Sequence, residues 1–377
     1  MPRVGCCNGS TCGMFVNTTQ TAILHTYKDM KKHITLLFSA LCMLALVSCD
    51  DKPRVTEDVV IPPPINGSVM MVNEGNFQSG NSSLTVLNFT NGELYQNVFE
   101  SRNNRNLGDV FQSASVAYGK AYLVVNNSKK IEVVDPATYQ SVGVINGLHS
   151  PRYMLAVNPN KAYVTEYYFN AVRIIDLNTN TIAGSVPLEG WMDEMALVND
   201  KVYITNAKKE YVYVLNTAND QVEDSVKVTY GSVSIQVDAH QKVWVLCNGR
   251  ADQGVRPALV CINPATNTVE KSFSLTMAET DVSRLRINKQ KDQLYWLSRH
   301  VYTHGIEDAS VSGTPFIRSV MSNFYGLGVD PRTNEVYVSD AKDYIQRSNI
   351  SRYSKNGNLV GDFTAGLITG DFCFYYP

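Results

Sequence analysis

The sequence predicts an all-β protein: a seven-bladed β-propeller with four antiparallel strands per blade and a C-terminal strand that closes blade one. Three observations lead there. A short strand-like element of the Val-Tyr-Val type recurs seven times. Its spacing stays near 41 residues, apart from two longer steps of 52 and 51. Turn-forming Asn, Asp, Gly and Pro separate the apolar runs at intervals of about 8–12 residues, as in all-β repeats.

The recurring elements are "VMMVNEG" from Val69, "AYLVVNN" from Ala121, "AYVTEYY" from Ala162, "VYITNAK" from Val202, "VWVLCNG" from Val243, "LYWLSRH" from Leu294 and "VYVSDAK" from Val336. A second strand follows each, as in "SLTVLNF", "KIEVVDP", "AVRIIDL", "YVYVLNT", "ALVCINP" and "NISRYSK". In the sixth unit the segment at this position is "PFIRSVM", which matches poorly. Tight turns such as "DLNTNT" and "NPATNT" come next, where Asx side chains and Gly stabilise the reversal. A third strand, such as "TIAGSVPL", and a fourth, such as "YMLAVNP", complete the unit and lead into the next. A lone four-stranded sheet cannot bury both faces, whereas seven stacked round an axis can.

The first unit lacks a strand of the fourth type before it. The terminal "GDFCFYYP" supplies one, so Asp371 to Tyr375 is expected to join blade one as its innermost strand. A helical solenoid is disfavoured by the β-branched and aromatic enrichment. Two separate β domains are the remaining alternative, and the uninterrupted repeat argues against them.

The N-terminal part reads differently. From Met30, Lys31 and Lys32 precede an apolar run from Ile34 to Val47, too short for a stable membrane span. Leu46-Val47-Ser48-Cys49 matches a bacterial lipobox, so Cys49 is the expected lipidation site. Residues 1–29 then read as an upstream start, 30–48 as a lipoprotein signal peptide, 49–66 as an anchored tether and 67–377 as the propeller. Asp50 and Asp51 resemble the surface-export signal of Bacteroidetes lipoproteins, and Pro62 to Pro64 stiffen the spacer. The expected location is the outer membrane, held by the lipid alone and exposed at the cell surface.

Removal of residues 1–48 leaves 29 basic and 34 acidic residues, a net charge of −5. That balance argues against a nucleic-acid partner. Cys247, Cys261 and Cys373 lie in apolar strand patterns and read as buried free thiols. Tyrosine is abundant, with 21 against 13 Phe and 3 Trp. Tyr combines an apolar body with a polar tip, which suits strands and binding faces.

In a propeller, the loops before each innermost strand and those after each recurring Val-Tyr-Val-type strand share one face. After the recurring strands come Asn76 and Phe77, the run Tyr167-Tyr168-Phe169, then Arg250, Arg299, Tyr302 and Tyr344. Before or at the innermost strands come Arg152, Trp191, Asp193, Tyr230, Tyr325 and Phe372. Aromatic platforms beside amides and guanidinium groups suit a large, flat, partly polar ligand. No catalytic motif stands out. His300 and His304 have i, i+4 spacing, but their flanks read as loop, so no metal ligand is assigned. Asp193-Glu194 and Glu307-Asp308 are adjacent acids, and neighbouring strand residues point oppositely, so neither reads as a dyad. Asp193, Asp281 and Asp371 could crowd an axis, as do the acids that hold a divalent cation in propeller lactonases.

The stretch "AYVTEYYFNAVRIIDLNTNTIAGSVPL" resembles the bacterial YVTN-type propellers. The segments "VMMVNEGNFQSGNSSLTVLNF" and "NLGDVFQSASVAYGKAYLVVNNSKKIEVVD" resemble a Bacteroidetes lipoprotein branch of that group. The resemblance covers nearly all of residues 67–376. It implies a surface protein that captures a corrinoid such as vitamin B12 and hands it to an outer-membrane transporter. With no catalytic motif in the chain, neither a cofactor nor catalysis is expected. A glycan or protein ligand on the same face, or a metal-dependent lactonase or lyase, are the alternatives.

Overall fold

The recurring Val-Tyr-Val-type strands named above read as continuous apolar runs because each is buried on both faces. In the computed structural model, which describes residues 64–276 and 281–377, seven sheets pack side by side. In blade two, Ala121, Leu123 and Val125 face the core shared with blade one, while Tyr122 and Val124 face the core shared with blade three. The apolar side chains divide into seven clusters, one per interface between neighbouring blades. The signal segment, Cys49 and nearly all of the tether lie outside the described residues.

The innermost strands of blades one to seven are Thr369–Tyr375, Phe111–Ala117, Pro151–Asn158, Met192–Val198, Ser232–Val237, Ser283–Ile287 and Phe324–Val329. Each lies beside the next, and the seventh lies beside the first, so the ring closes. Blade one is built from both ends of the domain: Thr369–Tyr375 pairs antiparallel with Ser68–Asn73, Met71 opposite Phe372. This is the closure the sequence predicts. Two further contacts hold it. Tyr376 Oη donates to Asp330 Oδ2 at 2.7 Å, and the Tyr376 ring stacks on Phe89 at 5.3 Å.

Polar latches cross several interfaces. The aromatic residue of the recurring strand reaches the turn of the following blade: Tyr163 Oη donates to Asp220, and Tyr203 Oη donates to Asn267 Oδ1 at 2.6 Å. Asp220 and Asn267 both sit at positive φ in their turns, a conformation that Asn and Asp tolerate. Blade one carries Met70 where the others carry an aromatic ring. There the latch runs the other way, from Tyr139 of blade two to Ser68 Oγ at 2.8 Å. Burial and this contact set the Tyr139 environment, and burial pushes its hydroxyl pKa up.

Two local expectations are corrected. In blade six the second partner strand is His300–Gly305, not the segment around Pro315. Ser298 pairs with His300, so the chain reverses on Arg299 alone. The fourth strand is reduced to one bridge between Val301 and Ile317, and this sheet has three full strands where the other six have four. Tyr302 is therefore a buried strand residue stacked on Trp296 at 6.0 Å, not a rim residue. The insertion before Gln112 forms a short helix, Val98–Asn103, bounded by Asn97 and Asn104 in the left-handed conformation. Val98 and Phe99 of this helix plug the core between blades one and two, beside an outer strand of only two residues, Leu94–Tyr95.

Blades seven and one meet closely because Gly328 lies against Phe372; a β-carbon at Gly328 would sit 2.7 Å from Phe372 Cβ. Gly328→Val is expected to lower stability by about 1–3 kcal/mol through overpacking. Deletion of residues 370–377 is expected to cost more, because it opens the ring. Urea midpoints of both variants check this; unchanged midpoints would remove the closure from the account.

Candidate functional site

Along a regular strand, side chains alternate between faces, so only every second residue of an innermost strand can face the channel. All seven innermost strands break this rule at the same end. Phe111 and Ser113 pair with consecutive residues of the next strand, which leaves Gln112 extra. Val233, Tyr325 and Gly370 are extra in the same way in blades five, seven and one. In blades three, four and six two residues face one partner: Arg152-Tyr153, Asp193-Glu194 and Arg284-Leu285. Such β-bulges re-aim side chains. Here they gather charge at one mouth of the channel. Asp193 and Glu194 consequently line the same cavity, and the expectation that neighbouring acids diverge does not hold.

The cavity has a volume of ≈ 610 Å³ and is walled by blades three to seven, with Arg152, Tyr153, Asp193, Arg284, Arg299 and Tyr325 among its lining. A smaller space of ≈ 200 Å³ continues down the channel past Glu194 and Tyr153, which line both. Between them lies a network of buried ions. Arg286 donates to Glu194 Oε1 at 3.1 Å and to Asp371 Oδ1 at 2.8 Å. Glu194 Oε2 also accepts from the Ile235 amide at 3.1 Å and from the Ser234 hydroxyl. Arg152 Nε donates to Asp193 Oδ1 at 3.2 Å, and its Nη1 donates to Gln112. Tyr167 Oη closes this cluster on Asp193 Oδ2 at 2.8 Å. Glu74, at the end of its strand, accepts from Tyr325 Oη at 3.0 Å and lies 3.6 Å from Arg284.

Burial raises the carboxyl pKa of Glu194, against the pull of Arg286, and that of Glu74, against Arg284. Burial works against the charge of Arg286, but Asp371 and Glu194 outweigh it and raise its pKa. Asp193 and Asp371 are both engaged by guanidinium groups, so the two are neutralised by cationic side chains of the chain itself. Among the described residues no three His, Cys, Asp or Glu side chains are grouped as a metal ion would require.

The rim is aromatic. Tyr167, Tyr168 and Trp191 converge, with Trp191 5.0 Å from Tyr167 and 4.8 Å from Tyr168, and Lys208 lies 4.4 Å over the indole. Tyr168 is 72% exposed and sits at positive φ, which turns its ring outward. Phe169 faces away from this group, between His149 and the Arg173 guanidinium. Across the cavity, Tyr325 and Tyr344 meet edge-on at 5.8 Å. The Asn76 amide donates to the Tyr344 carbonyl at 2.8 Å, and its neighbour Phe77 is 66% exposed. Arg250 lies over Tyr230 at 5.1 Å, and neither lines the cavity. Phe372 is buried against Tyr337 between blades seven and one, so its ring belongs to the core.

The last residue of the repeated motif fixes these loops. Asn206 accepts from the Trp191 amide at 3.2 Å and donates to the Glu189 carbonyl at 2.7 Å. Glu166 accepts from the Ser150 amide at 2.9 Å, Asn248 from Val282 at 2.7 Å and Asp340 from Asn323 at 2.8 Å. Sequence reasoning missed this role, and it also missed Glu74, Tyr153, Glu194, Arg284 and Arg286. The last two were signalled by charge inside the innermost strand segment "SRLRINK".

His300 and His304 do not form a metal pair. His300 Nδ1 accepts from the Ser319 amide at 3.1 Å, while His304 is buried between Trp244 and Phe273. Glu307 pairs with His240 at 2.9 Å on the exposed surface. Burial raises the thiol pKa of Cys247, and it pushes Cys261 and Cys373 up to about 12; all three thiols are free.

With the fold and mouth described, the relatives can be placed. The family model of DUF5074, a domain of unknown function, matches residues 67–377. The chain belongs to the DUF5074 family. No curated protein matches the sequence. Among solved structures, this DUF5074 chain is similar to a quinonprotein alcohol dehydrogenase-like protein from Bacteroides thetaiotaomicron, at 17% identity and a TM-score of 0.65 over 81% of this chain and 78% of that one. The periplasmic gluconolactonase of Pseudomonas aeruginosa matches at 12% identity and a TM-score of 0.63, over 82% and 99%. A putative 6-phosphogluconolactonase from Bacteroides fragilis matches at 11% and 0.60, over 82% and 98%. At these identities the likeness establishes the propeller fold alone.

Two outcomes follow for the DUF5074 domain. Arg286→Gln leaves Glu194 and Asp371 facing each other uncompensated, which is expected to cost about 3–5 kcal/mol near pH 7. The Glu194 carboxyl, already raised by burial, then loses its main counter-charge, so protonation relieves the repulsion and the deficit shrinks as pH falls toward the carboxylate range. Urea unfolding at two pH values reads this, and a pH-independent deficit contradicts it. Burial lowers the His304 pKa below its ordinary value, so the unfolded state takes up the proton first on acidification. Wild-type stability should therefore decline below about pH 6.5, the reference His value, and His304→Phe should lose that part of the decline.

Proposed function

We propose that this DUF5074 propeller is a ligand-capture protein, lipid-anchored at the outer membrane and displayed at the cell surface. In this reading it binds a sizeable flat ligand, a corrinoid first, and passes it to an outer-membrane transporter. One observation carries the binding reading: a preformed cavity of ≈ 610 Å³ with a rigid charged floor opens beneath exposed aromatic groups. Such a combination of apolar faces and fixed polar groups suits a ligand with a planar body and a hydrogen-bonding edge. A ligand larger than the cavity would lie across the rim, with Tyr168 and Trp191 covering one face and Tyr344 and Phe77 the other side.

Binding is favoured over catalysis because the acids at the mouth are held by Arg152 and Arg286. A lactonase-type divalent cation would have to displace both guanidinium groups. The anchor rests on the Lys31 to Cys49 pattern, and the corrinoid rests on the resemblance of the repeats.

Calorimetric titration with cyanocobalamin tests the reading. Saturable binding is expected, and Tyr168→Ala and Trp191→Ala should each weaken it by roughly tenfold, as for truncated aromatic anchors. Tyr168→Ala should melt like the parent, since Tyr168 is exposed; Trp191 is half-buried against Tyr167, so Trp191→Ala is shown to be folded by circular dichroism before its affinity is read. Absence of binding by the parent protein removes the corrinoid; unchanged affinity in both variants moves the site elsewhere.

A further inference from the structure

The hub holds three buried guanidinium groups, and one differs from the other two. Arg152 is paired with Asp193 and Gln112, and Arg286 with Glu194, Asp371 and the Leu285 carbonyl. Arg284 has looser company. Its Nη1 donates to Tyr153 Oη at 2.9 Å, and its carboxylate neighbour Glu74 stands 3.6 Å away. Among the described residues no other hydrogen-bond acceptor is recorded for its five N–H groups, although the side chain is only 12% accessible. Burial works against the Arg284 charge, and the nearby Tyr153, Asp371 and Glu74 outweigh it and raise its pKa, so the group stays charged while most of its N–H donors lack an acceptor.

The geometry points to Arg284 as the anchor for an oxyanion, a carboxylate or a phosphate, carried by the ligand. The proposal rests on the reading of the mouth cavity as the ligand site and names the group that reaches its floor. Three features support it beyond the missing partners. Arg284 lines the ≈ 610 Å³ cavity and is a bulge residue at φ 57°, a conformation unfavourable for a non-glycine residue. The bulge and this backbone angle deliver its side chain to the channel mouth. Tyr153 also lines the cavity and accepts from Arg284, so its own proton is available to a ligand oxygen. Two donor groups thus converge on one spot, the arrangement that oxyanions favour.

The opposite bulge has been cleared. Gly370 faces Glu74 and Arg284, and a β-carbon there would collide with the Glu74 carboxyl and lie 3.1 Å from Arg284 Nη2. Glu74 therefore occupies a place that a side chain on the innermost strand of blade one would fill. Its carboxyl is held above the ordinary range by burial, which weakens it as the permanent counter-charge of Arg284. An incoming oxyanion takes the remaining donors of Arg284 without needing to break the Arg152 or Arg286 clusters.

The test uses bare anions, so that it does not depend on the corrinoid. The whole protein is titrated with inorganic phosphate and with citrate by calorimetry, beside Arg284→Gln, Arg284→Lys and Tyr153→Phe, each shown to be folded by circular dichroism. Saturable binding of at least one anion is expected for the parent. Arg284→Gln should weaken it by about tenfold or more, in line with a lost charge-assisted hydrogen bond. Arg284→Lys should recover part of the loss, and Tyr153→Phe should weaken binding by a few fold. If Arg284→Gln does not fold, Tyr153→Phe decides, because its hydroxyl meets only Arg284 among the described residues. No binding of either anion by the parent, or parent-like binding in the folded variants, overturns the anchor. Anion binding without cyanocobalamin binding would leave the anchor and remove the corrinoid; the reverse pattern would leave the corrinoid and remove the anchor.

Discussion

Each innermost strand carries one residue more than its partner at the end that meets the cavity, and the chemistry of the mouth follows from that extra residue. A regular ladder would send every second side chain into the interface between blades, where charge is intolerable. The bulge instead turns Arg152, Asp193, Glu194 and Arg284 toward the channel, and the apolar alternation resumes below. The rest of the sheet is untouched, so the seven interfaces keep their separate apolar clusters. Repetition supplies the barrel of strands, and a local departure from repetition supplies the site.

The mouth then divides into two zones with different mechanical character. The floor is a lattice of ions that come from four blades, with Glu74, Asp193, Glu194 and Asp371 set among three arginines. Ions in a low-dielectric channel interact strongly, so this lattice resists rearrangement. The rim is aromatic, exposed and carried on loops, yet those loops are tied by the Asn, Glu or Asp that ends each repeated motif. A rim of pre-positioned rings loses little conformational freedom when it binds, which favours affinity without new contacts.

The blade number, the phase of the repeat and the closing strand were legible because they depend on period and apolar runs. The aromatic rim was legible too, since Tyr167-Tyr168-Phe169 has no place in a strand core. The floor was not. A bulge is an insertion of one residue with no composition of its own, so Asp193 and Glu194 were read with the strict alternation they escape. Blade six was misread because "HVYTHG" carries two histidines and a glycine, and because the reversal at Arg299 spends one residue where a loop was expected. The helix Val98–Asn103 was invisible for want of length: six residues hold less than two turns, too few for a 3.6-residue period to declare itself.

The two ends of blade one also settle a direction. Ser68 pairs with Tyr375 at one extreme of the blade, and Asn73 pairs with Thr369 at the other, beside Glu74 and the cavity. The chain thus comes into the domain at the base, with Ile65 buried there and bonded to Ala137, while the mouth opens on the opposite pole. If the chain is held from its N-terminal side, as the proposed anchor requires, this entry at the base aims the mouth away from the attachment, like a cup held from below.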